Sequence, residues 1–414
     1  MIDRTPMVGT PMPPGVSLLY VATVAQTIRG FLTPYAAHFR ALGWRVDAAA
    51  NGASTDAALR DAFDHVYELP FSRSILDLQS LVRGERAISK VLASRPDIVH
   101  VHTPIASFLT RLAARSLPET KRPAVAYTAH GFHFYRGGCA ATNAGFLIAE
   151  RVAGRWTDRL VVMNDEDYEA ARRNRIVAPG HLVRMPGIGV DTEVFSPSSL
   201  VSDDIERARQ DLGVGSDTPL FVAVAELSRR KRPGDVIRAL ALMRHAEAKL
   251  VLVGGGRDRA RLEALASHEG VRDRVRFTGF VEDVRPLIGS ATALVLPSRQ
   301  EGLARSIMEA LALEVPVVAS TARGNRELVG SDSGLIVRTG DVRGLAAAMD
   351  RMVDHPRERD AMGLRGRTRM VERYDIQILI RRHEEMYRQM LDASPTATHR
   401  RDPDEDRSLT LSAR

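Results

Sequence analysis

We predict an α/β fold with two doubly wound parallel sheets, one in each half of the chain. Short apolar and β-branched runs alternate with longer amphipathic stretches, which is typical of strand–helix–strand units in parallel sheets. This alternation occurs twice, and a chain of 414 residues suits two domains better than one. A turn-rich segment at residues 185–217 separates the two series and is the predicted linker; it contains Pro186, Gly187, Gly189, Pro197 and Gly213.

The predicted strands are short in both halves. In the first half they lie at residues 18–24, 45–49, 98–102, 125–128 and 160–163, with helical stretches at 75–93 and 108–115. In the second half they lie at residues 220–225, 250–253, 275–277, 293–296 and 317–319, with helical stretches at 236–243 and 258–266. Ligands bind at the carboxyl ends of parallel strands, so we expect the two sheets to face each other across a cleft and strand-end motifs to form the site.

The composition of both chain ends predicts disordered tails. Residues 1–15 are rich in Pro and Gly, and residues 394–414 are polar and charged. Segments of this kind bury too little apolar surface to order themselves. Between the tails we predict an N-terminal domain at 16–197, a C-terminal domain at 198–375, and a helix at 376–393 that packs back on the N-terminal domain.

Cysteine usage and hydropathy limit the class of protein. The chain has one cysteine, Cys139, which excludes an intramolecular disulfide and a metal site built from several cysteines. No apolar run approaches the roughly 20 residues of a membrane-spanning helix, and the N-terminus leads into prolines rather than a signal core. We therefore expect a cytoplasmic chain.

The positive charge of the chain is nearly all arginine. The formal net charge is +7, and only four of the 58 basic residues are lysines. Such basicity indicates an anionic partner. The chain has no zinc-finger spacing and no basic run interleaved with aromatics, so we expect no nucleic acid partner. An anionic membrane surface or a phosphorylated substrate fits better; a compositional bias towards arginine is the alternative.

The strongest motif follows the predicted strand at 293–296. The loop from Pro297 contains Glu301, Gly302, Leu303 and Ala304, and a helix is predicted to start near Arg305. Backbone N–H groups of Gly302, Leu303 and Ala304 at the positive end of this helix would suit a phosphate. Glu301 in the loop and Glu309 in the helix could accept hydrogen bonds from sugar and ribose hydroxyls. Two glutamates eight residues apart are also commonplace in helices.

The Glu-x7-Glu spacing after Pro297-Ser298, with Glu-Ala-Leu-Ala and Pro-Val-Val-Ala downstream, resembles the donor-site signature of glycosyltransferase family 4. The resemblance covers residues 16–390, and its most specific part lies in the C-terminal half. It implies the GT-B fold, in which two Rossmann-like domains face each other across a cleft. The N-terminal domain would bind the acceptor and the C-terminal domain the nucleotide sugar. By resemblance, Glu301 contacts the transferred sugar and Glu309 the ribose.

Other strand ends carry further resemblances to this family. Lys231 stands where relatives have a lysine that binds the donor diphosphate, and a solvated basic loop is the alternative. Many relatives have an arginine at the position of Glu226, so Arg229 or Arg230 would supply the second cation. Val281 resembles the residue whose backbone meets the nucleobase.

Two further candidates lie in the N-terminal half. The loop Gln26–Phe31 occupies the place of the family's first glycine-rich loop, which makes Gly30 a candidate on the acceptor or diphosphate side. His130 ends a predicted strand, where relatives have a histidine near the donor sugar. A histidine at a strand end also often has a structural role.

Two patterns resemble metal sites. His100 and His102 share one strand face, but no third ligand is evident, so we favour a packed, hydrogen-bonded pair. The acidic run at 165–167 follows Asn164, which can cap a helix whose first turn suits acidic residues. We therefore predict no metal and no cofactor.

The resemblance implies a retaining hexosyltransferase that needs no metal. The segments 102–104, 130–133, 164–168 and 323–325 resemble a subgroup that acts on polyprenyl-diphosphate-linked sugars in polysaccharide or glycan assembly, often with UDP-N-acetylhexosamines. The implied partners are a nucleotide-sugar donor, a lipid-linked saccharide acceptor and an anionic membrane, to whose inner face the chain would bind peripherally. A nucleotide-sugar epimerase of the same fold and a noncatalytic scaffold are the alternatives.

Overall fold

The computed structural model describes residues 12–72, 77–135 and 138–393. These residues form two compact units. Unit 1 contains the described residues up to Arg184 and those from Ile380 onward, and unit 2 spans Met185–Leu379. Residues 1–11 of the predicted N-terminal tail (1–15), the whole predicted tail at 394–414 and the first two residues, 75–76, of the predicted helix lie outside the described residues. Residues 12–15 are described, and the carbonyl of Pro13 accepts a hydrogen bond from the Trp44 indole.

Unit 1 contains a parallel sheet of seven strands in the order β3-β2-β1-β4-β5-β6-β7. The strands are β1 (Ser17–Val24), β2 (Arg45–Asn51), β3 (Val66–Glu68), β4 (Ile98–His102), β5 (Ala124–Ala129), β6 (Arg159–Val162) and β7 (Leu182–Arg184). The five predicted strands are confirmed within two residues at each end. β3 and β7 were not predicted, because each has three residues that are not fully buried and show no apolar run.

Helices cover both faces of this sheet. They are α1 (Ala25–Phe31), α2 (Thr33–Ala41), α3 (Ala57–Ala62), α4 (Leu78–Leu92), α5 (Pro104–Arg115), α6 (Ala140–Gly154) and α7 (Asp165–Arg173). The expected loop at Gln26–Phe31 is wrong, because these residues belong to α1. Ala25 and Ile28 lie on one face of α1 and are buried, and this burial favours a helix over an open loop.

Unit 2 contains a parallel sheet of six strands in the order β10-β9-β8-β11-β12-β13. The strands are β8 (Leu220–Val224), β9 (Lys249–Val253), β10 (Val275–Gly279), β11 (Ala293–Leu296), β12 (Val317–Ser320) and β13 (Gly334–Val337). The five predicted strands are again confirmed within two residues. β13 was not predicted; three of its four residues are only half-buried.

The helices of unit 2 include one inside the predicted linker. They are α8 (Ser202–Asp211), α9 (Pro233–Leu242), α10 (Arg259–His268), α11 (Arg285–Gly289), α12 (Arg305–Ala312), α13 (Arg323–Val329), α14 (Val342–Asp354) and α15 (Pro356–Arg369), followed by α16 (Ile376–Asp392), which belongs to unit 1 from Ile380 onward. The prediction that residues 185–217 form only a turn-rich linker is therefore wrong, because α8 lies within them. No residue of α8 is buried, and its sequence therefore lacks the helical repeat of apolar residues by which a helix is recognised.

The strand order places the loops that matter for function. In both sheets it reverses between two central neighbours, β1 and β4 in unit 1 and β8 and β11 in unit 2. Ligands of such sheets bind beyond the carboxyl ends of the strands at this point. Along the described ranges, no helix combines the length and the apolar character needed to cross a membrane.

Candidate active site

Two loops of unit 2 form the candidate site, and both follow central strands. One runs from β8 to α9 and carries Lys231; the other runs from β11 to α12 and carries Glu301. β8 and β11 are paired neighbours, so their loops emerge side by side. The backbone N–H of Arg299 donates to the carbonyl of Arg230 over 2.9 Å, which ties the two loops together.

The charged centre of the site is an ion pair between these loops. Nζ of Lys231 lies 2.6 Å from Oε1 of Glu301, whose side chain is 7% exposed. Nη1 of Arg230 lies 3.8 Å from Oε2 of Glu301 and donates to the Gln300 carbonyl over 3.1 Å. Arg229 and Glu226 are both exposed. Of the two arginines left open by the sequence, Arg230 is the one that contacts this centre.

The loop ahead of α12 is suited to an anion. Ala304 is the N-cap residue of α12 and has no side-chain oxygen to accept from the first-turn N–H groups. The preceding residue, Leu303, is half-buried, and a Cβ added at Gly187 would lie 3.1 Å from it. Behind the loop, a Cβ added at Gly324 would lie 1.5 Å from the carbonyl oxygen of Gly302. Gly324 therefore permits the close approach that shapes the loop before α12.

Glu309 lies further along α12 and is almost fully buried. Its Oε1 accepts a hydrogen bond from Nε of Arg305 over 2.7 Å, one helical turn earlier. Burial raises the pKa of Glu309, and the Arg305 charge opposes that rise. Arg305 thus holds the side chain of Glu309 in place at a buried position of the helix.

A glycine turn lies beside the β8 loop. Gly254 and Gly256 have φ of 132° and 158°, and a Cβ added to them would lie 2.2 Å from the Ala225 carbonyl oxygen and 2.4 Å from that of Leu227. Gly254 also bridges to Gly279 at the end of β10, two residues before Val281. Val281 is half-buried and packs on the core.

Two residues near these loops were missed by sequence reasoning. Phe280 is 72% exposed directly after β10, and an aromatic residue at a strand end was the available signal. Gly324 was noted only as part of a motif, because its contact with Gly302 depends on tertiary packing.

His130 and Gly30 lie in unit 1. His130 directly follows β5, and its Nε2 lies 2.9 Å from Nδ1 of His102. The ring of Phe31, which follows Gly30 at the end of α1, stacks on the His130 imidazole with centroids 5.7 Å apart. Burial lowers the pKa of His130 to about 4, so the imidazole is neutral near pH 7.

The packed, hydrogen-bonded histidine pair is confirmed. His100 and His102 have ring centroids 4.4 Å apart, and His100 hydrogen-bonds to Tyr387 on α16 and to Thr128. Burial holds the pKa of both histidines well below the usual value. In residues 12–72, 77–135 and 138–393, no group of three or more His, Cys, Asp or Glu side chains could hold a metal ion.

The helix cap predicted at Asn164 is also confirmed. Its side-chain oxygen accepts from the backbone N–H of Asp167 over 2.8 Å, and residues 165–167 form the first turn of α7. The acidic run is therefore explained by helix capping and the helix dipole.

Comparison with known proteins agrees with this architecture. The family model described as "Glycosyltransferase Family 4" matches residues 33–194, and that of "Glycosyl transferases group 1" matches residues 204–369. EpsD of Bacillus subtilis (strain 168), named as a glycosyltransferase, is 34% identical over 84% of this chain and 91% of its own length. The chain belongs to glycosyltransferase family 4.

Further relatives of this family 4 chain include a lipid-directed enzyme. The Escherichia coli UDP-Gal:alpha-D-GlcNAc-diphosphoundecaprenol alpha-1,3-galactosyltransferase is 27% identical over 68% of this chain and 71% of its own length. Among solved structures, HepE of Anabaena in complex with UDP has a TM-score of 0.76 at 19% identity, over 90% of this chain and all of its own. Sucrose-phosphate synthase of Thermosynechococcus elongatus has a TM-score of 0.78 at 22% identity, over 91% and 100%. The fold is GT-B, as predicted.

For a family 4 glycosyltransferase, the candidate residues fall into three groups. Arg230, Lys231 and Glu301 meet in one ion-pair cluster, and the segment Gly302–Ala304 leads from it to Glu309 on α12. Val281 follows the strand end that bridges to the glycine turn. His130 and Gly30 lie together in unit 1.

Proposed function

We propose that this family 4 chain is a retaining, metal-independent glycosyltransferase. It moves a hexose or N-acetylhexosamine from a UDP-linked donor to a polyprenyl-diphosphate-linked saccharide in polysaccharide or glycan assembly. The observation that carries the proposal is the Lys231–Glu301 ion pair beside the N-terminus of α12, because it puts a cation, a buried carboxylate and helix N–H groups in one place.

The relatives support the choice of donor and acceptor. UDP is bound by HepE, and a lipid diphosphate carries the acceptor sugar of the Escherichia coli relative. We extend both features to this chain. An acceptor of that kind would place the enzyme at the cytoplasmic face of a membrane, as a peripheral protein.

During the reaction, opposite charges would develop on the leaving diphosphate and on the transferred sugar. As the bond between the anomeric carbon and the diphosphate oxygen breaks, negative charge grows on the diphosphate and positive charge on the sugar. Lys231 and the first-turn N–H groups of α12 would stabilise the diphosphate, and each such donor contributes about 10²- to 10³-fold. With these groups meeting the diphosphate charge, the reaction would need no metal ion.

Glu301 would orient the sugar rather than attack it. Its carboxylate is held by Lys231, and a carboxylate committed to an ion pair is a hydrogen-bond acceptor and a weak nucleophile. In same-face attack, the acceptor oxygen bonds to the anomeric carbon as the diphosphate leaves, and a diphosphate oxygen takes the acceptor proton. Configuration is then retained. His130, neutral at pH 7, would hydrogen-bond at the donor sugar.

A donor screen tests the proposal. Thermal unfolding of the full chain would be followed with UDP-, GDP- and ADP-sugars, and we expect UDP-sugars to raise Tm most. Turnover with a lipid-linked saccharide should then continue in EDTA and give a product of retained anomeric configuration by NMR. Manganese-dependent turnover or an inverted product would contradict the proposal. Isomerisation of the UDP-sugar without acceptor would instead indicate the epimerase.

A further inference from the structure

The loop before α12, at residues 297–304, is anchored by side chains of β12 and α13 that the proposed reaction does not use. Nε of Arg323, at the start of α13, donates to the backbone carbonyl of Glu301 over 3.4 Å. The hydroxyl of Ser320, at the end of β12, donates to the backbone carbonyl of Ser298. The segment that ends in Glu301 is therefore held at both ends from the same side.

A buried asparagine completes the contact at Ser298. Asn325 is fully buried, and its Nδ2 donates to the carbonyl of Ser320 over 3.4 Å and to its hydroxyl oxygen over 3.3 Å. Because this hydroxyl oxygen accepts from Asn325, its own proton is directed to the Ser298 carbonyl. Asn325, Ser320 and Ser298 therefore form a hydrogen-bond chain with a single direction.

The stability of the fold alone does not account for this chain. Among the described residues, Oδ1 of Asn325 and Oγ of Ser298 are buried without a hydrogen-bond partner. A buried polar atom without a partner costs free energy, and a leucine of similar shape at position 325 would avoid part of that cost. The asparagine therefore calls for an explanation beyond packing.

The anchored carbonyls determine where the N–H groups of the loop point. In a trans peptide, the C=O of one residue and the N–H of the next lie on opposite sides of the chain. β11 lies between β8 and β12 in the sheet, and the Ser298 carbonyl is held on the β12 side. The N–H of Arg299 accordingly faces the β8 loop, where it donates to the carbonyl of Arg230 over 2.9 Å.

The same relation holds further along the loop. The Glu301 carbonyl is held by Arg323, and the Gly302 carbonyl lies so close to Gly324 that a Cβ there would be 1.5 Å away. Both carbonyls therefore face α13. The N–H groups of the residues that follow them, Gly302 and Leu303, point away from α13.

We propose that Arg323 and Asn325 are positioning residues for the leaving diphosphate. They hold two carbonyls of the loop before α12, so that the N–H groups of Gly302 and Leu303 are aimed at the terminal phosphate of the nucleotide. Donors fixed in this way stabilise the charge that grows on the leaving group. The inference rests on the proposed function, which supplies the diphosphate.

Calorimetric titration of the full chain with UDP and UMP tests the hydrogen-bond chain. Asn325→Leu and Ser320→Ala should each weaken UDP binding about 10-fold, because the loss of one well-aimed hydrogen bond has about this effect. UMP lacks the terminal phosphate, so its affinity should change less than about twofold. The double variant should lose no more than about the larger single loss, since both substitutions break the same chain.

Turnover separates positioning from folding. Asn325→Leu and Ser320→Ala should lower kcat about 10-fold or more, because each well-placed donor to the leaving group contributes about 10²- to 10³-fold. Thermal unfolding should find both variants folded. A variant that had lost structure in general would bind UDP and UMP equally poorly.

Arg323 is tested by a matched control and by rescue. Arg323→Met should weaken UDP binding about 10-fold, and Arg323→Lys, which can still donate to a carbonyl, should recover part of the loss. The control is Arg326→Met, an exposed arginine of the same helix, which changes the net charge equally. It should weaken UDP binding less than about twofold.

The outcomes distinguish this inference from the proposed function. GDP and GMP are measured in parallel; if the wild type binds GDP rather than UDP, the proposed donor is wrong and the GDP and GMP pair tests the positioning residues. A wild type that binds UDP but transfers no sugar would count against the proposed function alone. Unchanged diphosphate affinity in folded Asn325→Leu and Ser320→Ala, equal losses for diphosphate and monophosphate, or equal effects of Arg323→Met and Arg326→Met would overturn the inference.

Discussion

The ammonium group of Lys231 lies 2.6 Å from the carboxylate of Glu301, across 70 positions of the chain. A charge-assisted hydrogen bond of this length fixes both side chains, and Arg230 adds a second cation at 3.8 Å. The contacts between protein atoms are therefore sufficient to hold the two loops of unit 2 in one arrangement. This preorganisation is what a site for a diphosphate and a sugar would need.

The two glutamates should affect different kinetic parameters. Glu301→Gln should lower kcat about 100-fold, because it weakens the alignment of the reacting sugar. Glu309→Gln should mainly raise KM for the UDP-sugar, because contacts with a spectator ribose are similar in ground and transition states. Steady-state kinetics of both variants checks this. Normal kcat in Glu301→Gln would show that Glu301 does not align the reacting sugar.

Gly324→Ala should distort the loop before α12. The added Cβ would lie 1.5 Å from the Gly302 carbonyl oxygen, so the backbone must shift. We expect a loss of about 1 to 3 kcal/mol in the free energy of unfolding and a fall in kcat/KM. Gly145→Ala in α6 is the control, since a Cβ there has no atom of the described residues within 4 Å. Urea unfolding and kinetics check both variants, and equal behaviour would contradict the packing argument.

His102 should set the tautomer of His130. Among the described residues, the buried Nε2 atom of His102 has no hydrogen-bond partner, and leaving a lone pair unpaired there costs less free energy than leaving an N–H unpaired. The proton therefore belongs on Nδ1 of His102, which donates to Nε2 of His130, and His130 carries its own proton on Nδ1.

This assignment predicts both a spectrum and a rate. Imidazole ¹⁵N NMR should find His130 as the Nδ1–H tautomer, and His102→Phe should lower kcat about 10-fold or more with little change in UDP affinity. His102→Gln, which can still donate, should recover part of the rate. An Nε2–H tautomer, or normal kcat in His102→Phe, would refute the assignment.

Stability should fall in mild acid because of the buried histidines. Burial lowers the pKa of His130 to about 4 and holds those of His100 and His102 well below their usual value. The unfolded chain therefore binds more protons below about pH 6.5, and stability present above that pH is lost as the pH falls towards 4. Each histidine adds up to about 1.4 kcal/mol per pH unit to this slope.

Urea unfolding at about pH 7.5 and about pH 5 measures this loss. His100→Gln removes one of the titrating groups and should show a smaller difference between the two pH values than the wild type. An equal or larger difference in the variant would indicate that other groups control the acid sensitivity.

The sequence pattern was sufficient to predict those features that depend on residues close together in the chain. The ten predicted strands carry apolar runs long enough to recognise, and the loop before α12 follows one of them directly. The Asn164 cap could likewise be predicted, because a cap and its acidic first turn are adjacent. Element boundaries then followed within a few residues.

Features that depend on tertiary packing were not predictable in this way. Lys231 pairs with Glu301 because β8 and β11 are adjacent in the sheet, and the role of Gly324 depends on its close approach to Gly302. α1 forms because two apolar residues are buried against the unit 1 core, which overrides the loop expectation at Gly30. β3, β7 and α8 lack a distinctive apolar pattern, whereas β13 carries the short apolar run Leu335–Val337 and was overlooked.

Calorimetric titration of UDP into the wild type, Lys231→Ala and the exposed neighbour variant Arg229→Ala tests the central claim most directly. Loss of a charged hydrogen bond of about 1.5 to 3 kcal/mol predicts roughly 10- to 150-fold weaker binding for Lys231→Ala, with Arg229→Ala near the wild type. Lys231→Ala also leaves Glu301 buried without its partner, so thermal unfolding must first show that the variant is folded. Unchanged UDP affinity in folded Lys231→Ala would contradict the assignment of these loops as the donor site.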